Sequence, residues 1–448
     1  MKAVLLIFAI SIAHAQDTRT VTEPHFPPAC ATLDAHLAAK GATLPDADER
    51  KLDTQRIQEA LDHCTSGKAV VLKAEGSHNA FLSGPLDLRR GVTLLIDKGA
   101  ILLGSRDPKE YERRPGSCGV VDQNGRGCRA LINGDGVPDA AVMGEGTIDG
   151  RGGAKLLGQD VTWWDLAEKA RAGGAQNCPR ILVLSHCDNF TLYKIHLRNS
   201  PNFHVSYRDG NGFTAWGVVL FSPQRGARNT DGIDPSNSTN VTITHCYIHA
   251  GDDNVAIKAG HGNPTTHMTI AHNHFYAGHG MSIGSETDGG ASAIRVSDLS
   301  IDGADNGIRI KSNSSRGGLV HDVVYEDVCI RDTRNPIYMD SNYSYFGQDR
   351  DKLPTFEDIT LRNVHIFGGG KITLDGYDES HRLAIRFDNV TLENPDEIKM
   401  TAVHARITLG PGAANLHPTG EDVEVTGSPG KPTPNSCAAK FVPFPDTP

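Results

Sequence analysis

Four short strands that follow polar turns recur along this chain at nearly constant spacing. "NVAIK" begins at Asn254, "GMSIG" at Gly280, "GIRIK" at Gly307 and "PIYMD" at Pro336, in steps of 26, 27 and 29 residues. Each is preceded by another strand at a similar offset: "VTITHCYIH", "MTIAHNHFY", "IRVSDLSID" and "VVYEDVCIRD". A fixed period of about 20 to 50 residues marks stacked units that bury their apolar faces against one another. Each unit here holds two or three short strands and a turn, with no helical stretch. The pattern therefore predicts an all-β parallel β-helix, a solenoid whose coils stack about 4.8 Å apart. A β-propeller needs blades of about 40 to 45 residues, and a sandwich would not keep this register.

The 448 residues would suggest two or three domains by length alone, but a solenoid makes one, expected over residues 70–420. Before it, "ADERKLDTQRIQEALDHC" sets Ile57, Ala60, Leu61 and Cys64 at helical spacing, so residues 16–70 are expected to carry a helix that caps the first coil. The Pro-rich tail, residues 421–448, is expected to fold back along the surface. Residues 1–15 show a lysine, an apolar stretch from Ala3 to Ile12 and an Ala13-His14-Ala15 pattern, which reads as a secretory leader cut after Ala15. No other apolar run approaches the roughly 20 residues of a membrane span. The expectation is an exported, soluble monomer.

Formal net charge is -10 and the pI about 6.0, which argues against a partner made of nucleic acid or anionic membrane. An acidic substrate would need a local basic site. Nine cysteines in an exported chain favour disulfides. Cys30 with Cys64 brackets the first structured segment, Cys118 with Cys128 flanks a Gly-rich loop, and Cys329 with Cys437 would tie down the tail. A zinc site competes poorly, because there is no CxxC and His245 and His249 fall in an alternating strand. No metal or cofactor is expected.

Stacking gives the polar turns a setting. "NTDGID" places Asp231 21 residues before Asp252 in "HAGDDNVAIKAG", and "GHG" places His279 26 residues after Asp253. "RIK" places Arg309 and Lys311 one coil further on. Residues that recur once per coil lie one above another, so three carboxylates, an imidazole and two cations would converge on one face. Alone, each has an ordinary reading: Asp231 and the Asp252-Asp253 pair as turn aspartates, His279 as a surface histidine, the cations as a solvated strand face. It is the column of all four motifs that points to chemistry. Adjacent carboxylates in a poorly solvated site raise each other's proton affinity, which suits an acid working near neutral pH. "VAIK" at 255–258 matches the strand lysine motif of protein kinases, but no Gly-rich loop precedes it. "GEGTIDGRGG" at 144–153 lacks the ending of a phosphate loop. Both are read as solenoid segments.

"NTDGID", "GDDNVAIKAG", "GHGMSIGSE" and "GIRIKS", in this order and at these intervals, resemble the polygalacturonases of glycoside hydrolase family 28. "GEGTIDGRGG" followed by Trp163 and Trp164, and "NSPNFHV" at 199–205, are similar to its earlier signatures. The likeness runs over residues 65–345, and with "SPG" and "FVP" near the end the chain looks most like bacterial endopolygalacturonases. The resemblance implies a right-handed parallel β-helix that hydrolyses α-1,4 links of pectin or polygalacturonate with inversion and without a metal. It implies Asp252 as proton donor, Asp231 with Asp253 as the pair that activates water, and His279 as support for the acid. Arg309 and Lys311 would hold a substrate carboxylate. A substrate-binding tyrosine best matches Tyr343 in "MDSNYSY", with Tyr338 and Tyr345 close alternatives.

The residues themselves agree that one acid and one base suffice for glycoside cleavage. One coil step does not separate the carboxyl spacings of inversion, about 6.5 to 9.5 Å, and retention, about 5 to 5.5 Å. The rival readings are an exo-acting enzyme, a calcium-dependent pectate lyase, a rhamnogalacturonan hydrolase and a polysaccharide-binding β-helix without catalysis. Short segments around the column favour internal cleavage, with the Asp107 to Arg129 loop the candidate to close one end.

Overall fold

The computed structural model describes residues 16–343, 351–433 and 437–445. The leader and Tyr345 fall outside them. Successive strands pair in parallel with the strand one coil away and sort into three faces. One face runs through Val205–Arg208, Ile233–Ser236, Val255–Ile257, Met281–Gly284, Asn306–Lys311 and Asn335–Asp340. Its register stacks Ile233 on Val205, Val255 on Ile233, Met281 on Val255, Ile308 on Met281 and Ile337 on Ile308. All six of these side chains are fully buried. Because side chains alternate along a strand, the residues between them, Ser206, Asp234, Ala256, Ser282, Arg309 and Tyr338, point outward. The alternation that fills the core thus also builds the outer row on which the site stands.

The other two faces meet at a one-residue corner. His245, His272, Asp298, Asp327, Asn363 and Asn389 occupy it coil after coil, each with a left-handed φ between 50° and 60°. Asn, Asp and His tolerate that conformation better than other non-glycine residues, so the recurring polar residue at this offset is the sharp bend itself. Long strands such as Thr265–Tyr276 run straight through it.

Helix α1, Thr54–His63, covers the open end with Ile57 and Leu61 fully buried. Asp53 ties it down by accepting from the Leu82 amide at 3.1 Å, and Gln58 donates to the Asp87 carbonyl at 3.0 Å. The sheet also reaches beyond the expected segment. Ala29–Asp34, before the helix, pairs in parallel with Ala69–Lys73, and Gly420–Gly427 adds to the last coil. The helix is thus an excursion between the first two coils. Helix α2, Trp163–Lys169, opens with a capping box of Thr162 and Asp165. All three expected disulfides are formed: Cys30–Cys64, Cys118–Cys128 and Cys329–Cys437. The tail does return along the surface, with the Phe444 ring 5.2 Å from that of Tyr276 and Lys440 Nζ 2.6 Å from Asp298. Among the described residues no helix is long and apolar enough to cross a membrane.

Candidate active site

Asp231, Asp252, Asp253 and His279 lie in the turns that lead into consecutive strands of the first face, and Arg309 and Lys311 lie on the strand of the following coil. Backbone bonds lock these turns together. The Gly232 amide donates to the Asp253 carbonyl at 2.8 Å, and the His279 amide to the Asp252 carbonyl at 2.9 Å. Buried Asn254 spans three turns, giving its amide hydrogens to the Ile248 and Tyr276 carbonyls and accepting from the Gly280 amide. His279 needs the glycines beside it. Gly278 and Gly280 have φ of +69° and +70°, and a Cβ would come within 2.4 Å of the Asp252 carbonyl oxygen and 2.1 Å of that of Gly307.

The "NSPNFHV" segment supplies a support that sequence reasoning left without a role. His204 is fully buried and gives both its backbone N–H and its ring Nδ1 to the Asp231 carbonyl, at 2.8 and 3.0 Å. Burial pushes its pKa down to about 4, so it stays neutral. Ser222 Oγ lies 3.1 Å from its Nε2.

Charge is distributed unevenly. Asp253 is 2% exposed, and both its oxygens are occupied: Oδ1 accepts from Arg309 at 3.0 Å and Ser282 at 2.7 Å, Oδ2 from Lys311 at 2.8 Å. Burial opposes its ionisation, but Lys311 and Arg309 outweigh burial and hold the carboxyl well below the usual carboxylate range. Asp252 Oδ1 lies 3.1 Å from His279 Nδ1. Burial again opposes the charge, and the histidine overcomes it, lowering Asp252 while its own proton affinity rises against Asp252 and Asp253. His279 Nε2 is 3.7 Å from Asp305. Asp231 goes the other way: burial, then Asp234 and Asp252, raise it well above the ordinary value, with Lys258 the cation that opposes them. In the free site burial and like charges thus favour the protonated form of Asp231, whereas the resemblance gives the donated proton to Asp252. Groups this close titrate as a set, so the protons belong to the cluster.

The structure thus brings together every site residue expected from the sequence that falls within the described segments. Tyr343 lies with its ring 5.3 Å from the Arg309 guanidinium and 5.5 Å from Lys311 Nζ, and Tyr338 5.6 Å from Arg309. Two further residues belong to the neighbourhood, Asp234 and Lys258. Lys258 is the lysine of "VAIK", which the motif comparison had put aside. Its alternation with buried Ile257 was the available signal, since it sets Lys258 on the outer face. Asp252, Asp253 and His279 present ligand atoms within 4.8 Å of one another. A divalent ion there would face Arg309 and Lys311, which already neutralise Asp253, so this donor set fits a metal poorly.

A groove of about 1110 Å³ opens beside Asp234 and Lys258, next to this cluster, and runs towards the N-terminal coils. Arg113, Arg126, Arg180, Arg208 and Arg228 line it, and none forms an ion pair with a carboxylate among the described residues. One wall is the loop stapled by Cys118–Cys128, which pairs through Val120–Asp122 with Ala175–Asn177. A cationic groove that reaches Lys258 and Asp234, next to a cluster of buried acids and a histidine, defines an acid–base enzyme for a polyanionic chain.

The comparisons with known proteins agree. The model of glycosyl hydrolases family 28 matches residues 64–409, and the chain belongs to that family. It is 44% identical over 382 residues to an endo-polygalacturonase of Pectobacterium carotovorum subsp. carotovorum, spanning 85% of this chain and 90% of the relative. A polygalacturonase of Ralstonia nicotianae is 36% identical over 95% of this chain and 92% of its own length. The solved polygalacturonase from Erwinia carotovora ssp. carotovora superposes with a TM-score of 0.76 at 40% identity, covering 94% of this chain and 99% of its own.

Proposed function

We infer that this protein is an endo-polygalacturonase, a glycoside hydrolase that cleaves α-1,4 bonds inside polygalacturonate. The observation that carries the reading is the run of groove arginines, none ion-paired to a carboxylate among the described residues, that ends at Asp234 and Lys258 beside the Asp231, Asp252, Asp253 and His279 cluster in a chain of net charge -10. An acidic protein repels a polyuronate everywhere else, so the groove is where such a polymer can dwell. Likeness to relatives named as endo-polygalacturonases supports internal over terminal cleavage.

Asp252 protonates the leaving oxygen, and His279, one hydrogen bond away, resupplies the proton to Asp252. A galacturonate carboxylate in the groove raises the proton affinity of the nearby acids, which favours moving a proton from the imidazolium onto Asp252 as substrate arrives. Asp231, which has an oxygen without a partner among the described residues, deprotonates the attacking water, and Asp253, held by Arg309 and Lys311, helps to orient it. The occupied oxygens of Asp253 support inversion, since a covalent nucleophile needs a free oxygen to attack. Arg309 and Lys311 hold the sugar carboxylate while keeping Asp253. Arg309 Nε is buried and has no partner among the described residues, leaving one donor in reserve. Tyr343, beside both cations, contacts the sugar. Three disulfides support export through an oxidising compartment as a soluble monomer, with residues 1–15 as the leader.

The test is a time course on polygalacturonate in excess chelator. Viscosity should collapse while few bonds are broken, with mixed oligomers early and no ultraviolet absorbance from unsaturated ends. Mono- or digalacturonate alone from the first minutes would mean exo action, and dependence on added calcium would mean a lyase.

A further inference from the structure

Lys258 sits between two carboxylates that have no other cation in contact among the described residues. Its Nζ is 2.6 Å from Asp234 Oδ2 and 3.6 Å from Asp231 Oδ2. Asp231 is 4% and Asp234 2% exposed, and Oδ1 of each has no hydrogen-bond partner. The lysine head also lies 4.2 Å from the centre of the Phe203 ring, so it is held from a third direction. Asp234 and Ser236 share the outer face of their strand, and Ser236 bridges to Lys258 on the next coil. The groove opens beside Asp234 and Lys258.

Two buried carboxylates flanking one ammonium make an unbalanced set. With both ionised the trio carries one surplus negative charge in a desolvated place, which is costly. Orphan oxygens on both acids mean that each still lacks a proton, a water or a substrate hydroxyl. Base catalysis needs Asp231 charged with one oxygen free for the water, and Lys258 is the group that reaches its other oxygen. Asp252 and Asp253 on the next coil add negative charge, Arg180 acts from the N-terminal side, and Glu286 faces Lys258 from the following coil. His204 is neutral and meets Asp231 through the backbone carbonyl, not the carboxylate.

We propose that Lys258 and Asp234 are positioning residues for the hydrolysis, the lysine supplying the positive charge against which Asp231 works and Asp234 opposing it. The proposal rests on Asp231 acting as a base in the function inferred above. Asp234 also keeps the ammonium from collapsing fully onto Asp231, because its contact is the shorter one. The directions of the pKa values agree: burial and the neighbouring acids raise Asp231, Lys258 opposes them, and burial brings Asp234 to about 6.

The opposing roles give a test that loss of packing does not mimic. The acid limb of the kcat/KM profile reports the group that must lose its proton in the free enzyme. Lys258→Met should move that limb to higher pH by about 1 to 3 units, and Lys258→Arg should bring it back. Asp234→Asn removes a like charge and should move the limb to lower pH. Opposite displacements establish the proposal; an unmoved limb in Asp234→Asn, or both limbs moving the same way, overturns it. Should Lys258→Met fail to fold, Asp234→Asn and Lys258→Arg still decide the matter. A wild-type protein inert on polygalacturonate sinks the functional reading itself, whereas an active wild type with an unmoved limb sinks only the role of this pair.

Discussion

Lys311 Nζ lies 2.8 Å from Asp253 Oδ2, across two coils and 58 residues of chain. Together with Arg309 Nη1, 3.0 Å from Oδ1, it makes Asp253 a carboxylate with more positive charge around it than it carries. That surplus is what remains for an anionic sugar. Lys311→Met should therefore weaken substrate binding and also leave the buried Asp253 with one cation. The expected loss of stability is roughly 1 to 3 kcal/mol. Adding Asp253→Asn should return most of the stability and none of the activity. Thermal melts of the single and double variants check this, and a double variant no more stable than Lys311→Met would show that the pair is not the reason.

Asp252→Asn should abolish nearly all hydrolysis with folding intact. The side chain is partly exposed and supports its own turn by accepting from the Asp253 amide at 2.9 Å, which the amide oxygen of Asn can still do. Acid catalysis contributes about 10² to 10⁴-fold, so residual activity should fall below about 1%. Steady-state rates beside an unchanged melting curve are the measurement. A variant keeping half its rate would remove Asp252 as donor.

Much of this arrangement was legible in the sequence because a solenoid turns period into position. The steps between "NVAIK", "GMSIG" and "GIRIK" predicted which strands stack, and alternation predicted that Arg309 and Lys311 share an outer face. What alternation does not tell is which neighbour on an adjacent coil a side chain reaches. Both cations were read as free for substrate, yet they close on Asp253, since a buried carboxylate draws the nearest donors. Lys258 was passed over with its "VAIK" motif for the same reason: its partners, Asp231 and Asp234, lie over 20 residues away and meet it only through register. His204 was quoted as part of a signature, but its work on the Asp231 carbonyl depends on full burial, which no single strand reveals.

The pair His279 and Asp252 fixes a pH window. Burial lowers the proton affinity of His279, and Asp252 and Asp253 more than offset it, so the folded pKa lies above the ordinary value. Its stabilisation is whole below the unfolded pKa of about 6.5 and is lost as pH rises through the folded value. Asp252, lowered by His279 against burial, contributes above about 3.9 and loses that contribution as pH falls through its folded value. The alkaline limb of kcat should accordingly lie above pH 6.5 and belong to His279. In His279→Gln that limb should vanish and kcat drop about tenfold or more, less than for Asp252→Asn. Titrating the imidazole by NMR in the wild type gives an independent value, and a pKa at or below 6.5 would contradict the assignment.

The tail offers a stability element separate from the chemistry. Cys329–Cys437 closes 108 residues, and beyond it the tail lies on the face that carries Phe221, His249 and Tyr276, not on the site face. Phe444 packs against all three rings at 5.2 to 6.0 Å, Tyr276 Oη donates to the Val442 carbonyl at 2.8 Å, and the Arg331 guanidinium sits 4.4 Å from the Phe441 ring. Opening so long a loop frees the unfolded chain considerably, worth about 2 to 4 kcal/mol. The double variant Cys329→Ser/Cys437→Ser should thus melt several degrees lower and cleave a short oligogalacturonate with kcat within about twofold of wild type. A lowered melting point with unchanged kcat is the expected pair of readings. If kcat fell in step with stability at a temperature where the variant stays folded, the tail would be acting on the groove through the solenoid, and its separation from the site would be wrong.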